Sequence, residues 1–153
     1  MLGLSLAVIV ARGLVLIIAL PLHELAHALT ADYLGDPTPR RMGRITLNPL
    51  KHLDPAGTIM LFLAGFGWAK PVLVQPHNMR GDPRRSMAIV AIAGPLTNIT
   101  LAVLASIPFQ LGWADFTFTL SGDIPTWDYF LSQFIWINLI LAFFNILPIP
   151  PLD

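Results

Sequence analysis

The chain has 153 residues, 55% of them hydrophobic and only 12% charged, against roughly 25% charged in soluble domains. Nine basic and nine acidic residues cancel, which argues against nucleic-acid binding through phosphates. The absence of cysteine excludes disulfides, thiolate metal sites and a cysteine nucleophile. A water-facing surface cannot be built from so few charges, and mean hydropathy is +0.68. The composition therefore implies a polytopic membrane protein.

A hydrocarbon core needs about 20 largely apolar residues to cross. The first such run, Leu2 to Leu22, is interrupted only by Ser5 and Arg12 and continues into a histidine-bearing stretch, so the first span lies within residues 2–34. It lacks the basic leader and small-residue cleavage site of a signal peptide. Ala56 to Ala69 is apolar but short, with Gly57, Gly65 and Gly67; this fits a re-entrant segment better than a span. Val72-Leu73-Val74, bracketed by Pro71 and Pro76, is β-prone and could offer an edge to an extended peptide. Met87 to Phe109 and Tyr129 to Leu147 carry no charge and form the second and third spans. The expected architecture is an all-α membrane protein: a single three-helix unit over residues 1–153, spans at about 2–34, 87–109 and 129–147, and a re-entrant or β-containing segment between the first two.

Charge sets the orientation. Arg40, Arg41, Arg44, Lys51, Lys70, Arg80, Arg84 and Arg85 lie between the first and second spans, whereas Asp115, Asp123 and Asp128 lie between the second and third with no Lys or Arg. The positive-inside rule makes the central segment cytoplasmic. Were Ala56 to Ala69 a span, Arg40, Arg41 and Arg44 would face the opposite side from Arg80, Arg84 and Arg85, against that rule.

The chemistry concentrates in His23-Glu24-Leu25-Ala26-His27. Residues four apart share a helix face, so His23 and His27 can present imidazoles to one metal ion. Glu24, the only glutamate, lies about 100° round the helix from His23. A carboxylate there can deprotonate a water held by the metal without ligating it. Random shuffling of this composition yields the pattern roughly once in two thousand sequences. If the span is Leu2–Leu22, Arg12 sits mid-membrane; if it is Gly13–Leu34, Arg12 sits near the outer interface and the motif lies inside the membrane. The second register is favoured, because an Arg at a helix centre costs roughly 2.5–3.5 kcal/mol.

A catalytic zinc needs a third protein ligand and an open position. Spacing leaves Asp153, which follows a proline-broken end of the third span, and the His52/Asp54 pair as alternatives. His77 reads as a loop residue, and Asp32 and Asp36 as a helix end in water. No serine shows a nucleophile motif, and Asp115, Asp123 and Asp128 lie in the outer loop, so intramembrane serine and aspartyl mechanisms are disfavoured.

Five stretches in order carry a resemblance: HELAH, LNPLKHLDPAGTIM, FGWAKPV, GPLTN on the second span and NILPIPPLD at the end of the third. Together they resemble the site-2 protease family of intramembrane zinc metalloproteases, most closely its short bacterial and archaeal branch. The resemblance implies one zinc ion per chain held by His23, His27 and Asp153, with Glu24 as general base and acid. It also implies Asn98 and Asn145 along the path of a membrane-spanning protein substrate, and an active site of a multi-pass cell-membrane protein facing the cytoplasm. In that family the aspartate is followed by Gly and usually by more helices, so this chain reads as a fragment ending at its own ligand. The competing expectation from another class is a non-catalytic metal-binding membrane protein, either a pseudoprotease or a transporter fragment.

Overall fold

In this computed structural model the described residues are 5–64 and 67–147, with the side chains at 61 and 62 set aside. Three long helices dominate them: α1 (Leu6–Leu34), α4 (Pro83–Gln110) and α5 (Trp127–Ile146). Two short ones, α2 (Thr38–Arg41) and α3 (Pro55–Ala64), lie in the connection between α1 and α4. All three long helices are long and apolar enough to cross a membrane.

Local chemistry sets their ends. The Ser5 hydroxyl accepts from the Val8 amide, the Asp82 carboxylate from Arg84 and the Thr126 hydroxyl from Tyr129, each satisfying an orphan donor of the first turn. Helix α1 stops at Gly35, whose φ of 113° is a conformation that glycine adopts without strain. Pro21 lies inside α1, and Pro95 and Pro108 inside α4. Each removes one backbone donor, yet both helices continue through them.

The burial pattern is the reverse of a soluble protein's. Along α1 the buried positions include Ala7, Ala11, Val15, Ala19, His23, His27 and Ala31; along α4 they include Ser86, Val90, Gly94, Asn98 and Ala102. Both are ladders of four-residue spacing, mostly small or polar. Large apolar side chains such as Leu14, Ile18, Ile92, Leu96 and Val103 point outward. Small residues inside and bulky apolar ones outside suit helices packed closely in lipid. The two ladders meet, and α5 packs against both helices.

The connection between α1 and α4 folds back on itself. Asp36 reaches residues 75 and 78, and the Arg80 amide donates to the Leu34 carbonyl at 2.8 Å, so the end of α1 is tied to the entrance of α4. Ala31, Met79 and Val90 form an apolar plug beneath this tie. Asp54 caps α3 by accepting from the Gly57 amide at 2.9 Å. At ten residues, α3 is about 15 Å long, about half the hydrocarbon thickness. The β-containing alternative fails. Among the described residues the only extended pairing is a single antiparallel bridge between Leu53 and Ala69, and 72–74 join no strand. Val72-Leu73-Val74 has no neighbouring strand among the described residues with which to form a ladder. A Cβ on Gly57 would lie 2.1 Å from the Trp68 carbonyl oxygen, so this loop closes only because residue 57 is glycine.

Candidate metal centre

His23 and His27 occupy consecutive rungs of the buried ladder of α1, where Ala11, Val15 and Ala19 precede them. The Nε2 atoms of the two imidazoles converge to 3.0 Å. Nitrogens about 2.0–2.1 Å from one tetrahedral zinc lie about 3.4 Å apart, so the pair stands close to the separation a shared ion requires.

Which nitrogen carries the proton follows from the partners. His27 Nδ1 lies 2.7 Å from the Val90 carbonyl oxygen, which can only accept, so His27 is protonated at Nδ1. His23 is fixed by a longer relay. The Phe134 carbonyl can only accept, so Asn138 turns its Nδ2 toward it at 2.8 Å. That leaves Asn138 Oδ1 to accept from Asn98 Nδ2 at 2.7 Å. Asn98 Oδ1 then faces His23, whose Nδ1–H donates to it. Both rings therefore turn their Nε2 atoms toward the same point.

Space for a cation comes from α4. A Cβ on Gly94 would lie 2.5 Å from both Nε2 atoms, so a methyl group there would occupy the position an ion must take. Oriented rings, convergent Nε2 atoms and a cradle that a side chain would fill all fit zinc. The hydrogen-bonded Nδ1 atoms form the arrangement usual around histidine-bound metals.

Glu24 is buried beside the pair. Arg44, in the loop after α2, is also buried; its Nη2 donates to the Lys70 carbonyl, while its Nε has no hydrogen-bond partner. Burial pushes the Arg44 pKa below its usual 12.5, and the negative charge of Glu24 opposes that shift. The guanidinium thus places a positive charge within the field of Glu24.

Among the described residues no group of three His, Asp, Glu or Cys side chains surrounds one point. Asp153 lies outside the described residues. His52 is fully buried and donates from Nε2 to the Thr46 carbonyl at 2.7 Å, while its Nδ1 has no hydrogen-bond partner among the described residues; Asp54 serves as the cap of α3. Burial lowers the His52 pKa, and the Arg44 charge adds to that effect while the Thr46 bond counters it. Asn98 contacts a histidine directly. Asn145 does not: its Nδ2 donates to Leu141 one turn back at 2.7 Å, and it borders the cavity between α1 and α5. Sequence reasoning missed Asn138 and the role of Gly94. A lone polar residue in the middle of the third span was the signal available for Asn138.

This geometry coincides with a consistent set of relatives. Over 138 residues the chain is 45% identical to "Putative zinc metalloprotease YwhC" of Bacillus subtilis (strain 168), covering 90% of this chain and 63% of that protein. It is 34% identical to "Putative zinc metalloprotease Rip2" of Mycolicibacterium smegmatis, again over 90% of this chain but 51% of the relative. It is 32% identical to the protein of the same name in Mycobacterium tuberculosis (strain H37Rv), with the same two shares. Its relatives carry the name of zinc metalloproteases. The chain spans between half and two thirds of their length. No family model matches the sequence, and no solved structure matches it.

Proposed function

We propose that the protein is an intramembrane zinc metalloendopeptidase of the site-2 protease type, hydrolysing peptide bonds of membrane-spanning protein substrates in regulated intramembrane proteolysis. The observation that carries this reading is the convergence of two buried imidazole Nε2 atoms, 3.0 Å apart, beside a buried glutamate inside a bundle of apolar helices.

His23, His27 and Asp153 would hold one zinc ion. When bound, zinc supplies Lewis acidity that acidifies water toward pKa 7 and polarises the scissile carbonyl. Glu24 takes the proton of the attacking water and returns it to the leaving amine. Asn98 and Val90 hold the imidazoles in the ligating tautomer through the reaction. Arg44 puts a buried positive charge in the field of Glu24. Asn145 lies along the proposed substrate path, and the basic residues of the α1–α4 connection support a site facing the cytoplasm.

Glu24→Gln in the full-length protein tests the reading. It should abolish cleavage of a membrane-segment substrate, by about 10⁴-fold or more, while zinc content stays at one per chain. Equal cleavage by the variant would favour a metal-binding protein that is not a protease.

A further inference from the structure

A cavity of about 660 Å³ lies between α1 and α5, closed at one side by the loop around Gly57 and Trp68. Its size falls within the range of ligand pockets. On α1 its wall is formed by Arg12, Gly13, Leu16, Ile17 and Leu20. Glu24 continues the same helix face four residues past Leu20, so the cavity ends one turn from the proposed reaction centre. The end nearer that centre offers polar groups, with Thr58 and Asn145 in its wall. The far end offers a cation.

Arg12 is the only charged residue of α1 before the His-Glu motif. Its Nε donates to Gln133 Oε1 at 3.3 Å, and Gln133 is itself buried at 2% exposure. Gln133 is neutral, and no carboxylate pairs with Arg12 among the described residues. A guanidinium fork in an apolar wall has its natural complement in a carboxylate, which it can hold bidentately. Eleven residues separate Arg12 from His23, about 16 Å along the helix.

We propose that this cavity receives the membrane segment of the substrate, and that Arg12 with Gln133 selects an acidic side chain on that segment toward the outer face. This specificity rests on the protease reading above. Sixteen ångströms correspond to about five residues of extended chain or eleven of helix. The preferred acidic residue therefore lies five to eleven positions from the scissile bond. An occupant that was only an acyl chain would make no use of the polar groups at the inner end.

The test uses the full-length, zinc-loaded protein in vesicles and a panel of leucine-alanine membrane peptides with a central helix-breaking Asn-Pro. Each peptide carries Glu, Gln or Lys at one position three to twelve residues from the break. A photo-cross-linker placed at Ile137, in the Glu24→Gln background, reads capture without requiring cleavage. Capture should be at least tenfold better for Glu than for Gln at a position within the five-to-eleven window. That ratio should fall to near one in Arg12→Gln, persist in Arg12→Lys and invert toward Lys peptides in Arg12→Glu. A ratio near one in the wild type overturns the proposal. So does capture that follows the anionic lipid content of the vesicles instead of peptide charge, which would assign Arg12 to a lipid headgroup. Charge-selective capture with no cleavage by the wild type would instead leave the docking site standing and overturn the protease reading.

Discussion

Gly94 and His23 approach so closely that no side chain fits between them: a Cβ on Gly94 would lie 2.5 Å from His23 Nε2. Glycine inside a helix costs roughly 0.5–1 kcal/mol relative to alanine, so Gly94→Ala ought to favour α4 locally. At this position the methyl group takes the space of the ion. The clash with two buried, hydrogen-bonded rings outweighs that local gain, so Gly94→Ala should lower thermal stability without metal and lower zinc affinity at least tenfold, as measured by chelator competition. Unchanged affinity would remove Gly94 from the site.

The relay from Phe134 through Asn138 and Asn98 to His23 makes a graded prediction. Asn98→Ala deletes the acceptor that holds the His23 proton on Nδ1 and leaves Asn138 Oδ1 without its donor in a buried place. Loss of such an outer-shell partner typically costs 10–100-fold in metal affinity. Asn138→Ala leaves Asn98 Oδ1 present but no longer oriented, so its cost should be smaller. Zinc titration of both variants checks the order; a larger loss for Asn138→Ala would mean that the relay runs otherwise.

The three long helices were legible because span length is a property of uninterrupted sequence. The expected spans at 2–34, 87–109 and 129–147 correspond to Leu6–Leu34, Pro83–Gln110 and Trp127–Ile146, with the capping residues Ser5, Asp82 and Thr126 setting the observed starts. His23, Glu24 and His27 were legible because one helix fixes their mutual spacing. What faces them depends on the register between helices, which no single segment encodes. Gly94 was therefore visible only as part of a motif, Asn138 only as a polar residue in the middle of a span, and Arg44 only as a topological charge. Val72-Leu73-Val74 has β-prone residues, but a strand also needs a partner, and the sequence cannot supply that information locally.

Arg44 offers a test of the field around Glu24. Arg44 is only 3% exposed and a guanidinium stays charged in proteins, so it sets the electrostatic field at the carboxylate that must receive a proton. Arg44→Met removes that charge while filling similar volume. It should lower kcat at least tenfold with zinc content unchanged, and Arg44→Lys should restore part of the loss. If Arg44→Met lowered only thermal stability and left kcat intact, the residue would serve the Lys70 carbonyl alone.

Asp36 anchors the far end of the connection, and its protonation sets an acid limit. Its carboxylate is fully buried; Oδ1 accepts from the Thr38 amide and hydroxyl and from Asn78, and Oδ2 accepts from the Gln75 amide at 2.6 Å. Burial alone would raise its pKa, but these hydrogen bonds together outweigh burial and hold it below the ordinary 3.8. A carboxyl whose folded pKa is depressed contributes stability that is fully present above its unfolded value. That contribution fades as pH falls through the folded one. Asp36→Asn replaces one acceptor by a donor facing a donor, so it should destabilise the fold at pH 7 by about 1–3 kcal/mol. The gap between wild type and variant should then narrow below pH 4, because the wild-type carboxyl also becomes a donor on protonation. Thermal unfolding in detergent at pH 7, 4 and 3 measures it; a gap of constant size would show that the ionised carboxylate is not what ties α1 to α4.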